Sequence, residues 1–121
     1  MTTIREVMSM EIVTVEASFT VAEAATVMGG RHVGSALVLD KGRLIGIFTE
    51  RDILRALASD FDAAGHEVGQ WMTPEPSTVG PDESLTAARD VMLARGFRHL
   101  PVVDGDRLLG VVSLRDLTAG S

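Results

Sequence analysis

The chain contains no cysteine, so disulfides, thiol nucleophiles and thiolate metal ligands are excluded. Aromatic residues make up 4% of the 121 residues while 45% are hydrophobic, which predicts an aliphatic core. No apolar run approaches the length of a membrane span, and charged residues from Arg5 to Glu23 interrupt the first 25 positions, unlike a signal peptide. These absences predict a cytoplasmic protein with no membrane partner.

The chain also lacks an excess of positive charge. It has 17 acidic residues against 11 lysines and arginines, for a formal net charge of −6. Such a balance opposes non-specific binding to the phosphate backbone of nucleic acids, although one small anion could still bind in a local positive pocket. We therefore predict no nucleic-acid partner.

A long internal repeat is present. Residues 4–53 and 68–117 align without a gap at an offset of 64, and 15 of the 50 aligned positions are identical. The copies contain G-I-F-T-E-R-D at 46–52 and G-V-V-S-L-R-D at 110–116. Self-similarity at this period indicates tandem units. The predicted domains are residues 1–60 and 61–121.

Each copy has the pattern β-α-β-β-α. In the first copy, strands are predicted at 12–15, 35–39 and 44–49, with a helix that Thr20 or Ser18 caps and Gly29–Gly30 ends. The second copy repeats this order with strands at 77–79, 99–103 and 108–113. A right-handed crossover should make the first two strands of each copy parallel. The predicted fold class is mixed α/β, with two three-stranded units packed about a pseudo-twofold axis.

The text L-P-V-V-D at 100–104, followed by a D-G turn and G-V-V-S-L-R-D, resembles the cystathionine β-synthase (CBS) domain family. The resemblance covers both copies, and two such domains resemble a Bateman module. It implies an adenosine-containing ligand, namely AMP, ADP, ATP or S-adenosylmethionine, in clefts between the paired domains. The resemblance also implies that the protein forms a homodimer and that it requires no cofactor.

The pairs Thr49-x-x-Asp52 and Ser113-x-x-Asp116 stand where a strand enters a helix. One interpretation is a capping box, in which hydroxyl and carboxylate satisfy main-chain N–H groups. In the other, the helix start attracts a phosphate and the aspartate accepts hydrogen bonds from both ribose hydroxyls. The resemblance favours the second, with Thr49 or Ser113 on phosphate or ribose and the aspartate on ribose.

The resemblance further implies an adenine slot in each copy, lined by the first strand and the start of the second. Backbone groups there could bind the adenine edge while aliphatic side chains cover its faces. Arg98 and His99 lie either in a solvated loop or beside a phosphate, whereas the first copy has uncharged Gly34 and Ser35 there, so the sites should be unequal. The slot positions are Val13, Thr14, Val15, Gly34, Ser35 and Ala36 in the first copy and Ser77, Thr78, Val79, Arg98, His99, Leu100 and Pro101 in the second.

Catalytic and metal-binding motifs are missing from the sequence. The sequence has no combination of a nucleophile, a general base and a residue that orients the base, and it has no phosphate-binding P-loop. It also has no pair of histidines spaced to bind a metal from one helix. We predict no catalytic residues, no metal site and no enzyme activity. Trp71 is interpreted as core or dimer packing rather than base stacking. The predicted function is a regulatory energy sensor that acts on an unknown protein partner; the alternative is a structural dimerisation module with non-functional clefts.

Overall fold

The fold is described from a computed structural model that covers residues 2–120. The chain forms two compact units, which we name by their continuity. The continuous unit is residues 13–76, and the split unit combines residues 2–12 with residues 77–120.

The predicted division into halves 1–60 and 61–121 therefore differs from the way the chain packs. The leading segment of each repeat packs against the sheet of the other repeat. Ile4 is fully buried in a cluster with residues of the second repeat, and Ser9 forms a β-bridge with Val111. Reciprocally, Val68 is buried with residues of the first repeat. Burial of these apolar side chains, rather than sequence order, sets the boundaries.

The continuous unit is built on a four-stranded sheet. The first strand is parallel to the second, while the second and third, and the third and fourth, are antiparallel. The fourth strand was not predicted from the sequence, because it pairs across a long connection rather than through a hairpin. The elements of the continuous unit are β1 (Thr14–Glu16), α2 (Val21–Arg31), β2 (Ser35–Asp40), β3 (Arg43–Thr49), α3 (Glu50–Ser59) and β4 (Thr73–Pro74), with short 3-10 turns at Ala63–Gly65 and Val68–Gln70.

Helix α2 confirms the predicted Thr20 cap but not the predicted end. The Thr20 hydroxyl accepts from the Glu23 amide at 3.1 Å, and the Thr20 amide donates to the Glu23 carboxylate at 2.8 Å. The helix continues through Gly29 and Gly30, and His32, with φ 56°, is its left-handed C-cap. Both glycines lie in open space on the exposed side, so nothing at their positions forces the helix to stop.

The split unit contains an antiparallel hairpin of two strands with helices beside it. The predicted strand at 77–79 is reduced to one parallel bridge between Val79 and Val102. The reason is Pro101: the aligned Leu37 donates its N–H to the Val13 carbonyl at 2.9 Å, and proline has no N–H to donate. The elements of the split unit are α1 (Ile4–Val7), α4 (Leu85–Arg95), β5 (His99–Asp104), β6 (Arg107–Ser113) and α5 (Leu114–Gly120).

Each unit has its own aliphatic core, as the composition predicted. Phe48 is the one aromatic side chain among the fully buried residues of the described chain. None of the helices in residues 2–120 combines the length and the apolar character needed to cross a bilayer. The main buried cluster comprises Ile4, Val79, Leu85, Ala88, Met92, Leu100, Val102, Val112 and Leu117 in the split unit and Val13, Val15, Val21, Ala24, Met28, Ala36, Val38, Phe48 and Val68 in the continuous unit.

Candidate ligand-binding site

The first candidate junction lies where β3 leads into α3 in the continuous unit. Thr49 ends β3 and is the register partner of Ser35 at the start of β2. The amide of Glu50 donates to the Gly34 carbonyl at 3.0 Å. The antiparallel pairing therefore brings Gly34, Ser35 and Thr49 together at one end of the sheet, beside Asp52.

Thr49 and Asp52 form a complete capping box. The Asp52 amide donates to Thr49 Oγ1 at 3.3 Å, and the Thr49 amide donates to Asp52 Oδ2 at 2.9 Å. The Thr49 hydroxyl also donates to Oδ2, at 3.2 Å. Asp52 is only 7% exposed, so its carboxylate is buried. A ligand would have to displace or share these bonds.

The second junction has the same geometry in the split unit. Ser113 ends β6 opposite His99, and the Leu114 amide donates to the Arg98 carbonyl at 2.8 Å. The Ser113 amide donates to Asp116 Oδ2 at 2.8 Å, and the Asp116 amide donates to Ser113 Oγ at 3.0 Å. Asp116 is half-buried. Its Oδ1 accepts no hydrogen bond from any residue between 2 and 120.

The predicted adenine-slot residues divide into buried and accessible groups. The aliphatic ones belong to the cores of their own units, and Val79 already uses both its N–H and its C=O in the bridge to β5. Contacts to a ligand would therefore come mainly from the accessible members. Buried are Val13, Val15, Ala36, Val79, Leu100 and Pro101; half-buried are Gly34, Ser35, Ser77 and His99; exposed are Thr14, Thr78 and Arg98.

The two junctions differ in charge. In the split unit, exposed Arg98 stands at the loop position that Gly34 holds in the continuous unit. A methyl group added to Gly34 would lie 3.4 Å from the Glu50 carboxylate. Glu50 thus brings negative charge to this position, whereas the aligned residue in the split unit is Leu114. Within the described residues, no cluster of three or more metal-ligating side chains accompanies either junction.

Arg55 contacts the first junction and is a further candidate residue that was not predicted from the sequence. Its Nη2 donates to Asp52 Oδ1 at 3.1 Å and to the Trp71 carbonyl at 2.9 Å. The guanidinium lies 5.3 Å from the centre of the Trp71 ring. We call this pair of hydrogen bonds the Arg55 bridge. The three-residue spacing between Asp52 and Arg55 could have indicated the ion pair, but no local pattern indicated the contact with Trp71.

Comparison with known proteins identifies the two repeated units. The family model of the CBS domain matches residues 4–59 and again residues 68–120. The chain belongs to the CBS-domain family. The predicted family and the mixed α/β fold class are confirmed, and CBS pairs are regulatory modules.

Three relatives show how closely the whole CBS pair is matched. The CBS domain-containing protein YhcV of Bacillus subtilis is 36% identical over 97% of this chain and 84% of its own length. A signal-transduction protein with CBS domains from Burkholderia ambifaria superposes with a TM-score of 0.90, at 31% identity over 97% of this chain and 91% of that one. The CBS domain pair of protein MJ0100, solved with 5′-methylthioadenosine and S-adenosylmethionine, has a TM-score of 0.87 at 26% identity, covering 98% and 94%.

Proposed function

We propose that this CBS pair binds an adenosine-containing ligand, namely AMP, ADP, ATP or S-adenosylmethionine, and acts as a regulatory sensor with no catalytic activity of its own. The observation that carries the proposal is the repeated junction in which a hydroxyl residue, a carboxylate and a loop carbonyl meet at the end of a hairpin. The MJ0100 pair, a relative of similar fold, was solved with two adenosine compounds.

The proposed contacts follow from the chemistry of the junction residues. A carboxylate accepts hydrogen bonds only, so Asp116 Oδ1, which accepts none from the described residues, suits a ribose hydroxyl. The Ser113 hydroxyl could turn from the cap toward ribose or phosphate. Arg98 is exposed and can form a bidentate contact with a phosphate. Thr49 and Asp52 offer the same groups once the Asp52 carboxylate is released from its partners.

A structural dimerisation module with non-functional clefts is the second candidate. The specific observation in its favour is that both carboxylates already bind their own main chain. In that case each junction is a helix cap, which contributes about 1 kcal/mol to stability and nothing to binding. The two candidates make different predictions for Asp116, because a cap residue affects unfolding and a ribose-binding residue also affects affinity.

Regulation would operate by a shift between conformations. A ligand that binds one conformation more tightly increases its population, and a coupling of about 1–3 kcal/mol changes the affinity for a second partner by about 5- to 150-fold. We propose that the partner is a separate protein and that the chain forms a homodimer. Light scattering after size exclusion should give twice the 12.9 kDa mass of the chain; a monomer at micromolar concentration would contradict the dimer.

Thermal unfolding with each of the four ligands tests the binding proposal. At 100 times its dissociation constant, a ligand stabilises the folded state by about 2.7 kcal/mol, which raises Tm by several degrees. GTP and inosine monophosphate are the matched controls, because they keep ribose and phosphate but replace the adenine edge. A shift with an adenosine ligand and none with the controls supports the proposal. No shift with any of the four at millimolar concentration favours the structural module.

A further inference from the structure

The two aspartates are not equally available to a ligand. Asp52 Oδ2 accepts from the amide and hydroxyl of Thr49, and Asp52 Oδ1 accepts from Arg55, so both oxygens are engaged. Its side chain is only 10% exposed. Asp116 keeps one oxygen without a hydrogen bond from the described residues. A pair of ribose hydroxyls could therefore reach Asp116 directly, but at Asp52 they would compete with a guanidinium.

Contacts beyond Asp52 hold Arg55 in this position. One guanidinium nitrogen donates to both Asp52 and the Trp71 carbonyl, and the guanidinium lies over the indole. The indole Nε1 donates to His66 Nδ1 at 3.3 Å, and the two ring planes are nearly parallel, with an interplanar angle of 10° and centroids 6.2 Å apart. His66 Nε2 lies 3.3 Å from Asp60 Oδ2. These contacts fix the indole against which Arg55 rests.

The second repeat has no equivalent of this arrangement. At the offset of 64, the residue aligned with Arg55 is Ala119, and the residue aligned with Trp71 is Val7. Neither alanine nor valine carries a polar side-chain group, so the Arg55 bridge cannot form at Asp116. The difference between the junctions therefore follows from the different residues that the two repeats have at these positions.

Charge around the two junctions supports the same distinction independently. The Glu50 carboxylate lies against Gly34 in the continuous unit, where it would repel a ligand phosphate. The split unit has Leu114 in place of Glu50 and the cationic Arg98 in place of Gly34. Coulomb repulsion from Glu50 and attraction to Arg98 both favour an anionic ligand in the split unit.

We propose that the chain binds one adenosine ligand through Asp116 and that Arg55, held by Trp71, keeps Asp52 from binding a second. This inference rests on the proposed function and specifies which of its two junctions is occupied. Arg55 acts as a positioning residue: it engages the Asp52 carboxylate and does not itself contact the ligand. Removing its guanidinium should convert a one-site protein into a two-site protein.

Titration calorimetry with AMP, ATP and S-adenosylmethionine, each as a separate probe, measures the number of sites. We expect one equivalent per wild-type chain, and Asp116→Asn should weaken it at least about tenfold, since a hydrogen bond to a charged group contributes about 1.5–3 kcal/mol. Arg55→Gln should add a second equivalent, which Asp52→Asn in the same chain should remove. Arg43→Gln is the matched control, because Arg43 is an exposed arginine of the β2–β3 hairpin and its loss changes net charge equally.

The other outcomes separate this inference from the proposed function. Two equal sites in the wild type, or one site that Asp116→Asn leaves intact, would overturn the inference while adenosine binding stands. One site in both the wild type and Arg55→Gln would overturn the role of Arg55, provided that the variant keeps the cooperative unfolding of the wild type. Were Arg55→Gln to misfold, the wild-type stoichiometry and Asp116→Asn would still decide which junction is occupied. If none of the three probes binds to the wild type, the proposed function fails and the inference fails with it.

Discussion

Gly110 lies directly against the main-chain carbonyl of Ser9, and a β-carbon at position 110 would overlap that oxygen. The same contact recurs in the continuous unit, where a β-carbon on Gly46 would lie 2.9 Å from the Thr73 carbonyl. In each unit, the glycine of the hairpin's last strand receives the leading segment of the opposite repeat. Glycine is needed here because two backbones approach closely, not because of an unusual φ.

Gly110→Ala is predicted to destabilise the protein. The added methyl group must push away main-chain atoms of Ser9, and overpacking of this kind costs about 1–3 kcal/mol. Chemical denaturation at constant m-value measures the loss. Gly29→Ala is the matched control, because Gly29 lies inside α2 with nothing within 4 Å of its β-carbon position. That control should stabilise by about 0.5–1 kcal/mol, and an equal response of the two variants would contradict the contact at Ser9.

Ile4→Ala is predicted to weaken the split unit rather than the continuous one. Ile4 is fully buried among residues of the second repeat, and truncation of a buried isoleucine costs about 2–5 kcal/mol. Hydrogen exchange should accelerate in β5 and β6 more than in β2 and β3. Met10→Ala, at a residue 77% exposed, should change neither. Faster exchange confined to β2 and β3 would instead favour the contiguous halves predicted from the sequence, in which Ile4 packs with the first repeat.

Local features of the fold could be predicted from the sequence, whereas long-range pairings could not. The hairpins and the caps at Thr20, Thr49 and Ser113 depend on neighbouring residues, and all of them form. The pairing of β4 with β3 and the packing of Ile4 join segments far apart in the chain. No periodicity indicates such partners, so the sequence alone predicts contiguous halves.

The candidate site was predicted with the same limitation. The junction residues could be identified because hydroxyl and carboxylate lie three positions apart, and the ladder then brings Ser35 to Thr49. The guanidinium of Arg55 that engages Asp52 also contacts Trp71, which is 16 residues from Arg55. Arg98 and His99 predict unequal sites, but no pattern in the sequence predicts the Arg55 bridge that engages Asp52.

The cap at Ser113 provides a test of stability that is separate from ligand binding. Ser113→Ala removes the oxygen that accepts from the Asp116 amide, which should cost about 1 kcal/mol. Ser113→Gly should cost only a few tenths of a kcal/mol, since glycine is tolerated at an N-cap. Thermal unfolding without ligand measures both. Equal and negligible losses would show that the Ser113 hydroxyl is not capping the helix in solution.

Asp116→Asn is predicted to lose both stability and affinity. The amide oxygen can still accept from the Ser113 main chain, but the charge is lost and the side-chain NH₂ cannot accept from ribose. Asp106→Asn is the matched control for charge, because Asp106 is exposed in the β5–β6 turn. Titration with ATP and thermal unfolding, each on both variants, separate the effects. If Asp116→Asn lowers Tm but leaves affinity equal to that of the control, the carboxylate is a cap only.

Trp71 allows the Arg55 bridge to be tested without any ligand. It is the only tryptophan in the chain, so intrinsic fluorescence reports on this indole alone. Arg55→Gln removes the guanidinium that lies 5.3 Å from the ring, so acrylamide should quench Trp71 more efficiently in the variant. The lost cation–π contact at this partly exposed site should cost about 0.5–1 kcal/mol.

Arg43→Gln should leave the quenching constant at its wild-type value, because no described contact joins Arg43 to the indole. Quenching that is unchanged in Arg55→Gln would mean that the guanidinium does not rest on Trp71 in solution. Asp52 would then be free to exchange its Arg55 partner for a ribose. The two junctions would differ only in the charges of Glu50 and Arg98, and the expected difference in their affinities would decrease as salt screens those exposed groups.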